Sequence, residues 1–519
     1  MFNTRGLIFG FVFLNLICGL MFSCVREEEY AGDSSVSLKF DNDTLSFDTI
    51  FTTIGSLTKK LMVYNKENKP LKIDYISLKN GSASFFKLNV DACDDLVVRN
   101  VEIGARDSLY IFVRVELNPN NQTNPLLIED EIQFGFNGKT QSVLLQAYGQ
   151  DAYYHKPSHY LLSANPLSSS GYDTIWYSLA EEGGDKCGVS VNGNEISWKN
   201  DKPHIILGNC VVDSSYTLNL SYGTHIHLNK DSEFWVYKDG TLKAMGEVGQ
   251  PVVFESMRKD EHYANTAGQW GCVRFIAGSK DNLLDNVVIK NNIIGILVDT
   301  CVNNSPTLTL KNTRIENSSY IGIYARGAKI EGQNVVVQNT GNHTLALTMG
   351  GSYEFIHCTF ANYWQYGTRT KACLFLNDYY LDVNNSLQYR PIDKADFYNC
   401  IVYGSLSEEE LDIDFLEGGI SRYRFENCLL KTKNNIESPN LFVECVYKDP
   451  MFVNSAEGDL NLQATSAAIG AGNGVWSYSV PYDINGNYRS DPPCIGAMEY
   501  VDSGIKKAKQ RNKKNKIKN

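Results

Sequence analysis

Two acids beside two tyrosines, a histidine pair and a basic-acidic loop carry most of the chemistry this sequence offers. The run Asn377-Asp378-Tyr379-Tyr380-Leu381-Asp382 places carboxylates next to aromatic faces that could stack on sugar rings. Asp378, Tyr379, Tyr380 and Asp382 are therefore candidate binding residues. His225 and His227 stand two apart on an expected strand, so both rings share one side while Ile226 and Leu228 take the other. That pattern predicts two solvent-facing imidazoles; zinc needs further ligands, and none is near in sequence. Arg258, Asp260, Glu261 and His262 form a polar cluster suited to acid/base work, just before Gln269-Trp270-Gly271. No nucleophile elbow, phosphate loop or GxGxxG element precedes a helix, so nucleotide chemistry finds no support. No catalytic or metal-ligating set is complete, and no cofactor is implied.

The chain's address is readable at its start. Residues 1–22 combine Arg5 with an apolar run too short for a comfortable membrane span and placed where a signal peptide belongs. The run closes in Leu20-Met21-Phe22-Ser23-Cys24, which resembles a lipobox with Cys24 as the diacylated N-terminus. The following Val25-Arg26-Glu27-Glu28-Glu29 resembles the export signal of surface lipoproteins of the Bacteroidetes. The expected location is the outer membrane, lipid-anchored and facing outward. Four Asp-Thr/Ser-Leu/Ile triplets, at residues 43, 48, 107 and 173, resemble O-glycosylation sites of the same envelope proteins.

Composition agrees with an exported body. The 519 residues are 43% hydrophobic and 21% charged, and a mean hydropathy of −0.27 excludes a polytopic membrane protein. Thirty Tyr, 24 Phe and 41 Gly against eight Met lean towards β structure. Residues 505–519 carry eight Lys/Arg and no acid; without them and Arg5, 39 Lys/Arg face 59 Asp/Glu. A basic tail on so acidic a body suits a solubilising extension or contact with acidic groups, and nucleic acid is a poor partner for an exported chain. Thirteen cysteines become eleven once Cys18 and Cys24 are set aside, an odd number with no CxxC pair. Most are expected as buried small hydrophobes.

Two β regions must position these residues. Residues 36–150 alternate in short runs such as Leu109-Tyr110-Ile111-Phe112-Val113-Arg114-Val115, with Asn80-Gly81 and Asn137-Gly138 as turns. This predicts a β-sandwich of about seven strands, and Val63–Lys66 followed by Pro70–Ile73 resembles the opening of bacterial Ig-like modules. Residues 24–35 read as an acidic tether and 151–207 as an irregular connector packed over the next domain's first coil. From about residue 208 similar segments recur. Equivalent positions fall at 286, 312, 334, 357, 399 and 427, mostly Asn, in steps of 26, 22, 23, 42 and 28 residues. The step of 42 holds either a long insertion or a hidden coil. A 22–28-residue repeat of short strands with Asn at turns is what a parallel β-helix needs, since Asn tolerates the left-handed corner conformation. Leucine-rich repeats share the period but not the Leu spacing. Cys358, Cys400 and Cys428 share one repeat position and predict an interior ladder.

Residues 200–500 resemble the right-handed parallel β-helix repeat proteins. The opening coil around Gly223-Thr224-His225-Ile226-His227-Leu228, the tract Gln269-Trp270-Gly271-Cys272-Val273-Arg274-Phe275, and the end marked by Asp449-Pro450-Met451-Phe452 and Ile495-Gly496-Ala497-Met498-Glu499-Tyr500 carry the likeness. The resemblance implies an all-β chain: an Ig-like sandwich, then a right-handed parallel β-helix over 208–500, then a basic tail at 501–519. It also implies candidate activities, because polysaccharide lyases and glycoside hydrolases use this fold. A lyase needs a carboxylate cluster for Ca²⁺ plus an Arg or Lys base; a hydrolase needs two or three acids on one side. Asp299, Glu316, Glu331, Asp378, Asp382, Asp393, Asp396, Asp412 and Asp414 are available, but they do not recur at one repeat position. The reading that follows is a non-catalytic surface lipoprotein whose β-helix face contacts glycan or an outer-membrane protein complex. The alternatives are a lyase or hydrolase, and an extracellular accessory subunit of an outer-membrane β-barrel complex.

Overall fold

In the computed structural model, residues 29–52, 56, 58–117, 126–165, 171–259, 263–300, 306–433 and 439–502 are described. The signal segment, Cys24 and the tail from 503 lie outside them. The chain is nearly all β and divides into two compact units, 1–150 and 151–519. Among the described residues no helix is long and apolar enough to cross a membrane.

The first unit builds two sheets around one core. One runs Lys39–Phe40, Lys59–Tyr64, Ser108–Val115, Phe86–Val90; the other runs Thr44–Phe51, Lys139–Gln150, Leu126–Phe136, Leu71–Leu78, Val97–Ile103. Alternation decides which side is buried: Leu61, Val63, Ile111 and Val113 of the first sheet meet Ile73, Ile132, Phe134 and Leu145 of the second. Asn137 and Gly138, at φ 49° and 72°, make the two-residue hairpin turn that the sequence signals.

The second unit is a parallel β-helix with three faces. Each turn gives one short strand to each face. The first face runs from Tyr153–His155 to Leu429–Leu430, the second from His159–Ala164 to Leu411–Asp414, and the third from Val189–Asn192 to Phe442–Val443. The repeated corner between the third and first faces falls at the positions seen in the sequence. Asn286, Asn312, Asn334, His357, Asn399 and Asn427 all have φ between 48° and 53°. Their amides also ladder: Asn334 Nδ2 donates to Asn312 Oδ1 at 2.9 Å, and Asn312 Nδ2 to Asp285 Oδ1 at 2.9 Å. The next corner repeats the device with Asn291, Asn317 and Asn339.

Inside, each turn stacks on its neighbour. Phe355, Phe397, Phe425 and Phe442 stack with ring centroids 5.4, 4.7 and 5.4 Å apart. Beside them the expected thiol ladder forms. Cys358 N donates to Cys400 Sγ at 3.4 Å and Cys400 N to Cys428 Sγ at 3.3 Å. Cys445 extends it by one turn, its Sγ donating to the Phe425 carbonyl at 3.6 Å. All ten described cysteines are free thiols.

Three features differ from the sequence reading. Residues 151–207 supply the first turns of the β-helix: Tyr153–His155 pairs in parallel with His204–Ile206, and two antiparallel hairpins start the other faces. Hairpin pairing and outward aromatics hid the repeat there. The step of 42 is one long turn, because Gly351–Ile356 pairs directly with Ile392–Tyr398. The hairpin Tyr379–Leu381 with Leu387–Tyr389 projects from that turn. Residues 447–500 are not closing coils. Phe452, Leu460, Leu462, Ile484, Ile495 and Ala497 pack over Val336, Ala361, Ile401 and Leu429, the outward side of the first face.

Candidate functional site: the outer side of the second face

Alternation along the second face turns one side chain per strand outward. Strand register lines these up as Val211, Trp235, Arg274, Leu297, Tyr324, Ala346, Phe375 and Asp412. Successive members lie about 4.8 Å apart, the spacing of paired strands. Fold stability does not require aromatic residues here, since this side is outside the core.

At the row's start, Trp176, Gly208, Asn209, Lys230, Glu233 and Trp235 line an open cleft of about 400 Å³. Trp176 is 53% exposed. Trp235 is held by a bond from its Nε1–H to Glu233 Oε2 at 2.5 Å, and Glu233 N donates to Asn209 Oδ1 at 2.8 Å. Gly271 makes room for that carboxylate, because a Cβ there would come within 2.4 Å of Glu233 Cγ. Further along, His343 stacks under Phe375 at 5.0 Å and 15°. Its Nδ1–H donates to the Ala372 carbonyl at 2.7 Å, and burial holds its pKa below the usual histidine value. The ring is thus a neutral support. In the next outward row, Asp299 meets Arg274 Nη2 at 3.4 Å and Arg326 Nη2 in a close ion pair.

The candidate binding residues lie at the far end. Asp378 is fully buried; its carboxylate accepts from Leu416 N at 2.8 Å and from Ser421 Oγ at 2.7 Å, so it anchors the hairpin base. Asp382 is likewise spent, accepting from Asn384 N and Ser386 N at 2.9 Å in the hairpin turn. Tyr379 donates to Asp414 Oδ2 at 2.8 Å, which ties the hairpin to the second face, and Tyr380 is half-exposed opposite Gln388. Both tyrosines are half-buried, and the two aspartates hold the base and the turn of their hairpin.

The histidine pair is only half as expected. His225 is exposed, but His227 is buried, with the Ser256 carbonyl at 3.2 Å and Glu255 beside it. Burial, then nearby Lys259, pushes the His227 pKa down to about 3, so the ring is neutral at pH 7. Glu255, one turn along in register, brings its carboxylate within 3.5 Å of His227 Nδ1. The three residues could in principle hold a metal, yet Lys259 and Lys290 each place an ammonium 3.0 Å from Glu255. Two cations already neutralise the carboxylate, which makes the cluster a salt-bridge network. Of the loop cluster, Arg258 stacks on Tyr263, and Asp260, Glu261 and His262 lie outside the described residues.

The acids do recur at one position, contrary to the sequence reading. Glu331, Glu354 and Asp396 are register partners on the third face, each three residues before its corner residue. Glu354 completes the series between the other two. Lys394 contacts both Glu354 and Asp396. The remaining acids are distributed: Asp299, Asp412 and Asp414 belong to the second face and Glu316 to the first. Sequence reasoning missed the aromatic row because its members are 22 to 39 residues apart and vary in type. The signal was there as Trp235, Arg274, Tyr324 and Phe375, each flanked by two apolar residues.

No protein-family model matches the chain, and no curated protein does. Solved structures with partial likeness include a Porphyromonas gingivalis W83 protein of unknown function, at 16% identity over 24% of this chain and 56% of that one, TM-score 0.17. Another is a family 123 glycoside hydrolase from Clostridium perfringens, at 8% identity over 22% and 28%, TM-score 0.16. A third is the E. coli chaperone DraB, at 10% identity over 22% and 55%, TM-score 0.16. The chain spans less than two thirds of each of these proteins.

Proposed function

We propose that this protein is a non-catalytic binding lipoprotein of the cell surface, anchored through Cys24, whose second face takes a glycan. The observation that carries the reading is the continuous outward row from Trp235 to Phe375. Aromatic faces stack on the apolar faces of sugar rings, and a row repeating along a rigid axis suits an extended polymer better than a small metabolite. The distribution of acids supports binding over hydrolysis. A glycosidase needs one acid kept protonated opposite a carboxylate, whereas the aligned pair Glu354 and Asp396 shares the Lys394 ammonium on an open face.

The test is binding of the purified chain to a panel of soluble glycans. Trp235→Ala with Tyr324→Ala should weaken the best ligand at least about tenfold, equivalent to 1.4 kcal/mol, without altering folding. Unchanged affinity would remove this face from the reading. A second reading, a protein partner in the outer membrane, is favoured by the hairpin tip. Leu381, Val383 and Leu387 are 59%, 100% and 49% exposed there, and nearby Ile420 is 71% exposed. Co-purification of one stoichiometric membrane protein, lost on Val383→Asp, would move that reading forward.

A further inference from the structure

The outward side of the second face is not uniformly apolar. Where it turns towards the third face, three guanidinium groups gather at one corner. Arg274 and Arg326 flank Asp299, the first at 3.4 Å and the second in a close pair. Arg390 arrives from the far side of the hairpin. Its Nη1 donates to Thr300 Oγ1 at 3.3 Å, and the Thr300 hydroxyl donates to the Arg326 carbonyl at 3.2 Å. The Arg390 guanidinium lies across Gly327, where a Cβ would come within 2.8 Å of its Nη2. A side chain at 327 would compete with the guanidinium for that space.

The charge balance at this corner is uneven. Asp299 pairs with Arg274 and Arg326, whereas Arg390 meets the neutral Thr300 hydroxyl. Among the described residues, the ion pairs at this corner thus set one carboxylate against two of its three arginines. Arg274 and Arg326 are about one third exposed, at 31% and 32%, and Asp299 is 15% exposed. The Nε–H groups of both arginines find no acceptor among the described residues. Such a surplus is out of keeping with a body in which acids outnumber bases. Arginines crowd together at a cost in repulsion unless an anion joins them, and their planar donor forks match carboxylate or sulfate oxygens. Tyr324 stands beside Arg326, whose guanidinium lies 5.8 Å from its ring centroid, so a stacking platform and the cationic corner are contiguous.

We infer that the Arg274–Arg326–Arg390 corner receives the acidic substituent, carboxylate or sulfate, of an anionic glycan lying along the second face. The inference rests on the glycan reading and adds the class of sugar. A polymer stacked on Trp235 and Tyr324 passes this corner between them, so an acidic group at that point gains charge-assisted hydrogen bonds that a neutral sugar lacks. Asp299 bridges Arg274 and Arg326 and competes with an incoming anion for their charge.

The experiment measures binding of the full chain to three oligosaccharide probes of similar length: polygalacturonate for carboxylate, heparin fragments for sulfate, and dextran as a neutral control. The expected result is at least tenfold tighter binding of an anionic probe, weakening steeply with added salt. Arg390→Gln and Arg326→Gln should each remove most of that preference and leave dextran affinity unchanged. Asp299→Asn removes the competing charge and should strengthen anionic binding several-fold, an effect of opposite sign that misfolding cannot mimic. A preference for one anionic probe identifies the group; equal preference for both identifies a general oxyanion site. Equal affinity for neutral and anionic probes would overturn the inference while leaving the glycan reading intact. Failure of all three probes to bind would overturn both.

Discussion

The first and second faces of the β-helix share a backbone, a strand spacing and an alternation rule, yet their outer sides have opposite fates. On the first face, Val336, Thr359, Ile401 and Leu429 form an outward row, and residues 447–500 cover it. The cover is clamped by Arg489, which bonds Asn334 Oδ1 at 2.7 Å and Glu499 Oε2 at 3.4 Å with both charges buried. On the second face, the corresponding row carries half-exposed Trp235, Arg274, Tyr324 and Phe375, with the smaller Leu297 and Ala346 buried between them. The inward rows must be apolar for either face to form. The outward rows are free to vary, so apolar residues there mean either a built-in cover or a surface kept for something else. The covered row is aliphatic apart from Thr359, whereas the exposed members of the other are aromatic or charged.

The largest expected effect comes from breaking the cover. Arg489→Met leaves the Glu499 carboxylate buried without its guanidinium and deprives Asn334 of a donor. Loss of one partner of a buried pair costs about 3–5 kcal/mol. Urea unfolding should show that loss in the midpoint. A shift below about 1 kcal/mol would mean that the cover contributes little to the folded state and that the contrast between the faces is superficial.

How much of this contrast the sequence reveals depends on what each residue does. Corner residues are legible because a left-handed backbone demands a short list of types: the six positions at φ near 50° include five Asn. The interior is legible for the same reason, as with Cys358, Cys400 and Cys428 at one repeat position. Covers and outward rows are not. Arg489 and Asn334 are 155 residues apart, and nothing in a repeat period foretells which face a terminal segment will lie on. His227 illustrates the point at small scale. Its alternation correctly turns it outward, but it is buried, and its ring meets the carbonyl of Ser256, 29 residues later. Asp378 reads as an exposed binding acid beside two tyrosines, and only the return of Ser421 and Leu416 buries it.

The next effect is a pH dependence set by the buried histidines of the first face, the outward His227 and the inward pair His155 and His204. His155 and His204 point into the opening turn, with Nε2 and Nδ1 2.9 Å apart and Trp198 stacked at 4.1 and 4.5 Å from their centroids. His204 Nε2–H donates to the Lys199 carbonyl at 2.7 Å, so its Nδ1 accepts from His155. Burial pushes the His204 pKa down to about 4 and His155 well below its usual value. Unfolded histidine titrates near 6.5, so between about 6.5 and 4 the unfolded chain binds the extra proton. Stability is therefore whole above pH 6.5 and falls as pH is lowered, by up to about 1.4 kcal/mol per unit per ring. His204→Gln should flatten this slope between pH 6.5 and 5, as read from urea midpoints. His225→Gln, on the exposed outside, should leave most of the slope in place. Equal slopes in the two variants would show that the interior pair adds nothing to the acid sensitivity that buried His227 also contributes.

The smallest expected effect is the one that decides what the bare row is for. Tyr324→Ser removes an outward aromatic that fills no core position, and half-exposed sites away from caps and buried pairs tolerate substitution within about 0.5–1 kcal/mol. Ile401→Ser, at the outward row of the first face, lies under the cover at 1% exposure and beside Gly496. It leaves a cavity and buries a hydroxyl, for a loss of about 2–4 kcal/mol. Thermal unfolding of the two variants in parallel measures the difference directly. If Tyr324→Ser proves as damaging as Ile401→Ser, the second face is supporting the fold and its aromatics need no ligand to explain them. If it is nearly silent, stability does not account for an aromatic at that position, and the ligand contacts proposed for the row remain the reason for it.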